Sequence, residues 1–233
     1  INKINTMKRK TKIIATIGPA SLNQEIFENI IEEGVDCVRI NTAYSDKKQF
    51  EIIFDNLKKI TKKDVKIIFD IRSVDTLKNI IEYNPSSIAL SFSESVEQIN
   101  SILSMAPDCK IISKIESKKG VENFDEILNA SWGTMIARGD LGEAVSLEKV
   151  PCLQRNLTKK TIEKNKFLIV ATEMLLSMTE NKKPTRAEVS DVANAVFDGA
   201  SAVMLSEETA IGKNPIESVV YMRKIIEDAE ECI

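Results

Sequence analysis

The stretch Lys110-Ile111-Ile112-Ser113-Lys114-Ile115-Glu116 is a short apolar run that finishes on a lysine and a glutamate. Its residues do not alternate regularly between apolar and polar, so the run predicts a parallel β-strand over Lys110–Lys114 that helices cover on the outside. Helical spacing of apolar residues follows over Val121–Leu128. The stretch therefore begins one strand–helix unit, and the same unit recurs along the chain.

Seven further β-branched runs have the same character: Lys12–Ile17, Cys37–Asn41, Val65–Asp70, Ser87–Ser91, Thr134–Ala137, Phe167–Ala171 and Ala202–Leu205. Ser21 with Gln24 and Glu25 resembles a capped helix start after the first of these runs. The other helical patterns cover Asp46–Lys62, Val74–Tyr83, Val96–Met105, Leu153–Lys164, Arg186–Asp198 and Pro215–Cys232. Eight such units predict an α/β protein with one domain, a (β/α)8 TIM barrel over residues 11–233, after a polar arm at 1–10. An open doubly wound sheet is the alternative.

Composition excludes several classes of function. The 233 residues are 43% hydrophobic, enough for one sizeable core, and the formal net charge of -3 argues against a nucleic-acid-binding protein. The chain has no histidine, which excludes Ser-His-Asp and Cys-His catalysis and histidine metal ligands. No apolar run reaches the ~18 residues of a membrane helix, and no signal peptide is visible. We therefore expect a cytoplasmic protein without membrane contact.

The four cysteines, Cys37, Cys109, Cys152 and Cys232, are widely spaced and form no CxxC motif. That spacing suggests neither a zinc knuckle nor a disulfide framework. We expect them to be small buried residues in a reducing cytosol.

In a TIM barrel the active site lies at the carboxyl ends of the strands. Charged and hydroxyl residues end the predicted strands of this chain, namely Arg39, Asn41, Asp70, Arg72, Ser91, Lys114, Glu116, Arg138, Asp140, Thr172, Glu173, Ser206 and Glu207. Lys114 and Glu116 share one face, because residues two apart in a strand point the same way. Glu116 and Asp140 would meet across neighbouring strand ends as two oxygen ligands of the kind that Mg²⁺ takes. A structural Lys–Glu ion pair is the alternative.

The segment Arg138-Gly139-Asp140-Leu141-Gly142 has the composition of a turn between a strand and a helix. Its glycines would let backbone amides approach an anion, and the helix that follows would favour negative charge at its N-terminus. A glycine turn without any ligand is the alternative. Thr172 ends another strand, where its hydroxyl would relay a proton, bind a carboxylate or cap a helix.

At these residues the sequence resembles the pyruvate kinase family. The matching stretches run in family order over nearly the whole chain and are Thr11–Ser21, Ile111–Glu116, Phe124–Ile127, Met135–Gly142, Ala171–Leu175, Pro184–Ala195 and Met204–Ala210. The catalytic domain of that family is a TIM barrel, in agreement with the eight strand–helix units.

The resemblance implies catalytic roles. Lys114 is similar to the lysine that stabilises the transferring phosphoryl group and the enolate, and Thr172 to the threonine near the enol carbon. Glu116 and Asp140 are similar to the ligands of a divalent cation, Mg²⁺ or Mn²⁺. The enolate that this chemistry builds is an anion, which a metal and a lysine stabilise.

The resemblance also implies binding roles. The amides of Gly139 and Asp140 are similar to those that hold the substrate carboxylate, with Ser91 and Thr172 as further substrate-binding candidates. Arg39 resembles the arginine that contacts phosphate. Asn41 and Asp70 resemble two ligands of a monovalent cation, K⁺. The implied substrate is phosphoenolpyruvate, pyruvate or another 2-oxo acid.

The sequence departs from the family pattern at several places. Ala43 removes a hydroxyl that would bind K⁺, and Tyr44 replaces a histidine on the nucleotide side. Asp70-Ile71-Arg72 runs directly into Ser73-Val74, where the family carries an inserted lid domain. The family's C-terminal domain is also expected to be missing after Ile233.

Two smaller departures are Trp132, where the family commonly has aspartate, and Glu207, where it commonly has glycine.

Three functions follow as hypotheses. The first is phosphoryl transfer between phosphoenolpyruvate and ADP. The second is a metal-dependent enolate reaction such as decarboxylation, aldol cleavage or ketonisation, and the third is a non-catalytic barrel that binds a ligand or partner. The family also places Pro184–Ala195 near a neighbouring subunit, which predicts a homo-oligomer.

Overall fold

The computed structural model describes residues 9–61 and 63–233, in which eight parallel strands form a closed barrel. Every strand pairs with the next one in the chain, and β8 closes the barrel on β1. The strands are β1 Lys12–Thr16, β2 Cys37–Asn41, β3 Lys66–Ile71, β4 Ser87–Leu90, β5 Lys110–Ile115, β6 Gly133–Ala137, β7 Phe167–Ala171 and β8 Ala202–Leu205. The predicted TIM barrel is confirmed, and the open doubly wound sheet is wrong. Residues 1–8 of the predicted polar arm lie outside the described residues.

Helices connect the strands on the outside of the barrel. They are α1 Gln24–Glu32, α2 Lys47–Lys59, α3 Val74–Ile80, α4 Val96–Met105, α5 Lys118–Glu122, α6 Phe124–Ala130, α7 Arg138–Val145, α8 Val150–Glu163, α9 Arg186–Phe197, α10 Glu207–Ala210 and α11 Pro215–Glu231. Single 3₁₀ turns lie at Ile81–Tyr83, Leu147–Lys149 and Leu176–Thr179. In the described part of the chain, no helix has both the length and the apolar character that crossing a bilayer requires.

The strands are apolar on both faces because each face is buried. Ile13 and Ala15 of β1 point outward into the layer between strands and helices, where Phe27 and Ile30 of α1 are buried. Ile14, between them, points into the barrel. The alternation follows from the two-residue period of a strand. It explains why the strand runs are continuous in sequence rather than alternating with polar residues.

The helix ends near Ser21 and Val121 differ from prediction. The cap of α1 is Asn23, whose Oδ1 accepts from Glu25 N at 2.9 Å, whereas Ser21 Oγ accepts from Gly18 N at 3.2 Å. The single helix predicted over Val121–Leu128 is wrong, since α5 and α6 are separate helices that meet at Asn123. The short polar side chain of asparagine hydrogen-bonds to nearby backbone groups, so asparagine favours the end of a helix over its interior.

The connection from β3 to α3 is short. Only Arg72 and Ser73 separate Ile71, the last residue of β3, from Val74, the first residue of α3. The carboxyl end of β3 therefore carries no additional folded segment.

The prediction that all four cysteines are buried is wrong for two of them. Cys37 and Cys109 are buried, whereas Cys152 and Cys232 are exposed, and all four are free thiols. Burial raises the pKa of the Cys37 thiol and raises the pKa of Cys109 to about 11. The buried thiols are therefore protonated at neutral pH and unreactive.

Alkylation tests this division. Iodoacetamide at about pH 8 should label Cys152 and Cys232 of the native protein and leave Cys37 and Cys109 unmodified, because the thiolate is the reacting species. Mass spectrometry of tryptic peptides measures the labelling, and urea-unfolded protein should react at all four positions. Rapid labelling of Cys37 in the folded protein would contradict the packing described here.

Candidate active site

The Lys114 ammonium lies at the carboxyl end of β5 inside a buried cluster of polar groups. Its Nζ is 2.9 Å from Glu116 Oε1, 3.1 Å from Asp70 Oδ2 and 2.9 Å from Ser91 Oγ. Lys114, Glu116, Asp70 and Ser91 are all buried. Three neighbouring strand ends, those of β3, β4 and β5, thus supply the groups that surround one lysine.

Asp70 accepts from two cations at once. Arg39 Nε and Nη2 lie 2.8 and 2.7 Å from its Oδ2, and Lys114 binds the same carboxylate from the other side. Arg39 comes from β2, whose last residue, Asn41, pairs in register with Asp70. Burial alone would raise the pKa of Asp70, but the positive charges of Arg39 and Lys114 outweigh it and hold that pKa below its usual value.

Arg39 also donates from Nη1 to Thr16 Oγ1 at 3.0 Å. Nε, Nη1 and Nη2 therefore all have protein acceptors. A guanidinium has five N–H donors, so donors remain for an anion at this end of the barrel. Asp70 thus fixes the orientation of Arg39.

Glu116 is held differently from Asp70. Its Oε1 contacts Lys114, and its Oε2 accepts from the backbone N–H of Phe92 at 2.8 Å. Burial raises the pKa of Glu116, and the Lys114 charge only partly offsets that effect. Phe92 has a positive φ of 46° and an exposed side chain. The chain turns sharply after β4 at this point, and the turn aims an amide at Glu116.

Asp140 lies in the first turn of α7 and is exposed. No described residue lies within hydrogen-bond or ion-pair distance of its carboxylate. β5 and β6 are adjacent in the barrel, and Glu116 and Asp140 follow their carboxyl ends. The described residues contain no group of three or more His, Cys, Asp or Glu side chains suited to a metal.

Thr172 and Gly139 are brought together from β7 and α7. The Gly139 amide donates to Thr172 Oγ1 at 2.8 Å, and this hydroxyl donates to the carbonyl of Ala171 at 2.6 Å. The expected glycine turn at Arg138–Gly142 is wrong, because α7 begins directly at Arg138. Thr172 caps no helix, and its φ of 70° is unusual for a β-branched residue. The surrounding structure must therefore hold it in place.

The residues that hold Thr172 cannot be identified from local sequence. Arg138 Nη2 donates to the Thr172 carbonyl at 2.6 Å, and its Nη1 donates to Asp191 Oδ1 of α9 at 2.7 Å. Arg138 was singled out only as a charged strand end. Its role as a brace between α9 and the loop after β7 depends on a contact between residues 53 positions apart.

Glu208 is a second residue that the sequence did not reveal. It is buried in α10 and accepts from the backbone amides of Leu175 and Ser206 at 2.9 and 2.7 Å. Burial raises the pKa of Glu208. The carboxylate therefore connects the loop after β7 to the loop after β8. Leu175, its partner in the first of these loops, is close to Thr172 in sequence. An acidic residue next to Ser206-Glu207 was the available signal, but charge alone does not distinguish a buried brace from an exposed side chain.

The proposed K⁺ ligands lie side by side. Asn41 Oδ1 accepts from the Ala43 amide at 3.2 Å, and Thr42 Oγ1 donates to the Asp70 carbonyl at 2.7 Å. Tyr44 is 78% exposed and lies away from the buried cluster. Asn41 and Asp70 are therefore neighbours, but both already have protein partners.

Comparisons with known proteins were made for the whole chain. The sequence model of the family described as "Pyruvate kinase, barrel domain" matches residues 8–76 and 72–219. Proteins named pyruvate kinase are similar to the chain. That of Thermococcus litoralis is 46% identical over 211 residues, which is 88% of this chain and 42% of the relative. That of Chlamydia muridarum is 42% identical over 217 residues, which is 87% of this chain and 44% of the relative.

The chain spans about three tenths to three fifths of the length of the curated relatives it matches. The pyruvate kinase of Thermoplasma acidophilum is 30% identical over 320 residues, which is 96% of this chain and 59% of the relative. That alignment is longer than the 233 residues of the chain, so the relative has additional internal residues. The two matched segments meet at residues 72–76, where β3 connects to α3.

Removing the charge of Asp70 tests whether the cluster depends on it. Asp70→Asn should lower the free energy of unfolding by about 3–5 kcal/mol, because two buried cations lose their shared anion. Since the pKa of Asp70 is lowered, its contribution is complete above the ordinary carboxyl pKa and is lost only as pH falls through the lowered value. The difference between wild type and variant should therefore stay constant from about pH 5 to 8. Urea unfolding measures it.

The matched control is Asp55→Asn, which removes an exposed carboxylate that pairs with Lys58 on α2. Its effect on unfolding should be close to zero, since exposed ion pairs contribute little. Equal losses in the two variants would refute the central role of Asp70.

Proposed function

The chain belongs to the pyruvate kinase family through its barrel domain, and we propose that this barrel binds phosphoenolpyruvate or pyruvate and stabilises the enolate form. The observation that carries the proposal is the position of Lys114. Its buried ammonium lies at the carboxyl end of β5 and contacts Glu116, a proposed metal ligand. A cation fixed in a buried site stabilises a developing oxyanion without reorganisation.

The proposed divalent cation fits the residues present. Glu116 and Asp140 are hard oxygen donors, and Asp140 has no partner among the described residues. Each Glu116 oxygen already has one protein contact, with Lys114 or with the Phe92 amide, and keeps a further lone pair for a cation. Mg²⁺ is bound through one or two carboxylates in sites that leave positions for substrate. Mg²⁺ or Mn²⁺ bound there would supply positive charge beside the enolate oxygen, and Lys114 would supply the second positive charge.

In this proposal, α7 and Thr172 orient the substrate. The first-turn amides of α7, at Gly139 and Asp140, favour a carboxylate because they are unpaired in the helix and lie at its positive end. Thr172 Oγ1 already accepts from the Gly139 amide at 2.8 Å, so a carboxylate bound there would lie beside this hydroxyl. Thr172 would then hold or deliver the proton that is exchanged at the methyl carbon of pyruvate. Ser91 keeps Lys114 in position from the opposite side.

Phosphoryl transfer between phosphoenolpyruvate and ADP is the second candidate function, and the names of the relatives favour it. Arg39 retains N–H donors for a phosphate, and Asn41 with Asp70 would take K⁺ in that reaction. Transfer to a nucleotide requires water to be excluded and both anions to be aligned, which closing segments commonly achieve. The two-residue connection between β3 and α3 leaves no such segment at that strand end. The short connection therefore favours the enolate reaction over phosphoryl transfer to ADP.

We also infer a cytoplasmic site of action. All four cysteines are free thiols, which suits a reducing compartment. Oxidised, paired cysteines in protein purified without reductant would argue against this location.

Proton exchange tests the enolate proposal. In D₂O with Mg²⁺, the protein should catalyse exchange of the methyl protons of pyruvate, followed by NMR. Lys114→Met should slow the exchange by about 10²–10³-fold, because one fixed charge at the oxyanion is lost. Lys118→Met, which removes an exposed lysine nearby, is the control and should leave the rate unchanged. Exchange at the uncatalysed rate in the wild type, or equal rates in both variants, would overturn the proposal.

A coupled assay of pyruvate release tests whether the barrel transfers phosphate from phosphoenolpyruvate to ADP. The mixture contains phosphoenolpyruvate, ADP, Mg²⁺ and K⁺, and the Lys114→Met variant sets the background. We expect release at that background, because the site has no closing segment over Asp70. Turnover clearly above the variant would establish phosphoryl transfer and show that this barrel aligns ADP without a lid.

A further inference from the structure

A second cavity lies at the opposite end of the barrel from Lys114. Its volume is about 430 Å³. The residues that line it come from the amino-terminal ends of the strands and are Lys12, Ile14, Asp36, Cys37, Asp64, Lys66, Ile68, Ser86, Ser87, Lys110, Ile112, Trp132 and Phe167. Strands of four to six residues separate the two ends by about 13–20 Å. The cavity is therefore distinct from the candidate active site.

The inner surface of this cavity is apolar. Ile14, Ile68 and Ile112 are buried members of the cluster that fills the barrel, and Phe167 packs against that cluster. Cavities of about 300–1,000 Å³ with apolar walls and a few polar groups are typical small-molecule sites. The volume and the lining both fall within that description.

Trp132 forms an aromatic wall at the opening. Its ring stacks on Phe167 with centroids 4.8 Å apart and an interplanar angle of 25°. Lys110 Nζ lies 4.7 Å from the centroid of the Trp132 ring, and 38% of Trp132 is exposed. The exposed part of the Trp132 ring can therefore pack against a planar ligand.

The charges around the opening leave an excess of positive charge. Asp64 pairs with Lys66, and Asp36 pairs with Arg9 and with Lys63. Both carboxylates of the lining are thus neutralised by nearby cations.

The other two lysines at the opening, Lys12 and Lys110, differ from Lys66 in their ion pairing. No described carboxylate lies within ion-pair distance of Lys12 or Lys110, which lie at the first residues of β1 and β5. A cation–π contact at an exposed site is weak, so the Lys110 ammonium is easily redirected from Trp132 to an anion. The opening therefore offers two ammonium groups to a ligand.

We propose that this cavity binds a planar aromatic anion, a ring that carries a phosphate or carboxylate group. The ring would pack against Trp132 and the isoleucines, and the anionic group would bind Lys110. Lys12, which starts β1 across the barrel from β5, adds positive charge to the same opening. Ser87, which pairs in register with Lys110, offers a hydroxyl beside the same position. Size, apolar lining and excess positive charge all select the same class of ligand.

Trp132 provides the measurement, because it is the only tryptophan in the chain. Titration with adenosine 5′-monophosphate should change its fluorescence saturably, with a Kd below about 1 mM. Adenosine, which lacks the anion, and inorganic phosphate, which lacks the ring, should each bind at least about tenfold more weakly. Naphthalene-2-carboxylate, followed by calorimetry, distinguishes a carboxylate ligand from a phosphate ligand.

The variant Lys12→Gln/Lys110→Gln should weaken binding of the preferred probe by at least about tenfold, with its unfolding transition unchanged. Lys224→Gln is the matched control, because Lys224 lies over the ring of Tyr221 on α11, outside the cavity. It should bind like the wild type. Absence of saturable binding of either aromatic anion, or equal affinity in the double variant and the wild type, would overturn the proposal.

Discussion

A single buried carboxylate, that of Asp70, determines the arrangement of the candidate active site. Two cations from neighbouring strands, Arg39 and Lys114, could not lie so close together in a buried site without an anion between them. Asp70 supplies that anion at 2.7 Å from Arg39 and 3.1 Å from Lys114. Lys114 can therefore keep its charge inside the protein and still contact Glu116.

The closed barrel brings these side chains together. Parallel strands in chain order place the carboxyl ends of β2 to β7 around one opening, so Arg39, Asp70, Lys114 and Thr172 converge although they are distant in sequence. The same geometry places the strand starts around the other opening. There the lining consists of isoleucines, lysines and Trp132. The two ends of one barrel thus differ in chemistry: charges are compensated in a buried network at one end and left in excess at the other.

Much of the fold could be predicted from local sequence. Strands over Cys37–Asn41, Phe167–Ala171 and Ala202–Leu205 have the predicted bounds, because buried parallel strands leave continuous apolar runs. Helix ends were less predictable. Asn23, rather than Ser21, caps α1, and Arg138 already belongs to α7 in spite of Gly139 and Gly142. In each case tertiary contacts selected one of several ends that local propensity allowed.

The sequence by itself determined the barrel and the set of polar residues at its strand ends, since both follow from the order of apolar runs and the residues that stop them. It also determined the short connection after β3. Only the tertiary structure decided how these residues are used. It bound Asp70 to Arg39 and Lys114, set Arg138 as a brace for Thr172, and buried Glu208 between two loops. The reason is that hydrogen bonds and ion pairs depend on the distance between side chains, which the packing of separate strands and helices fixes.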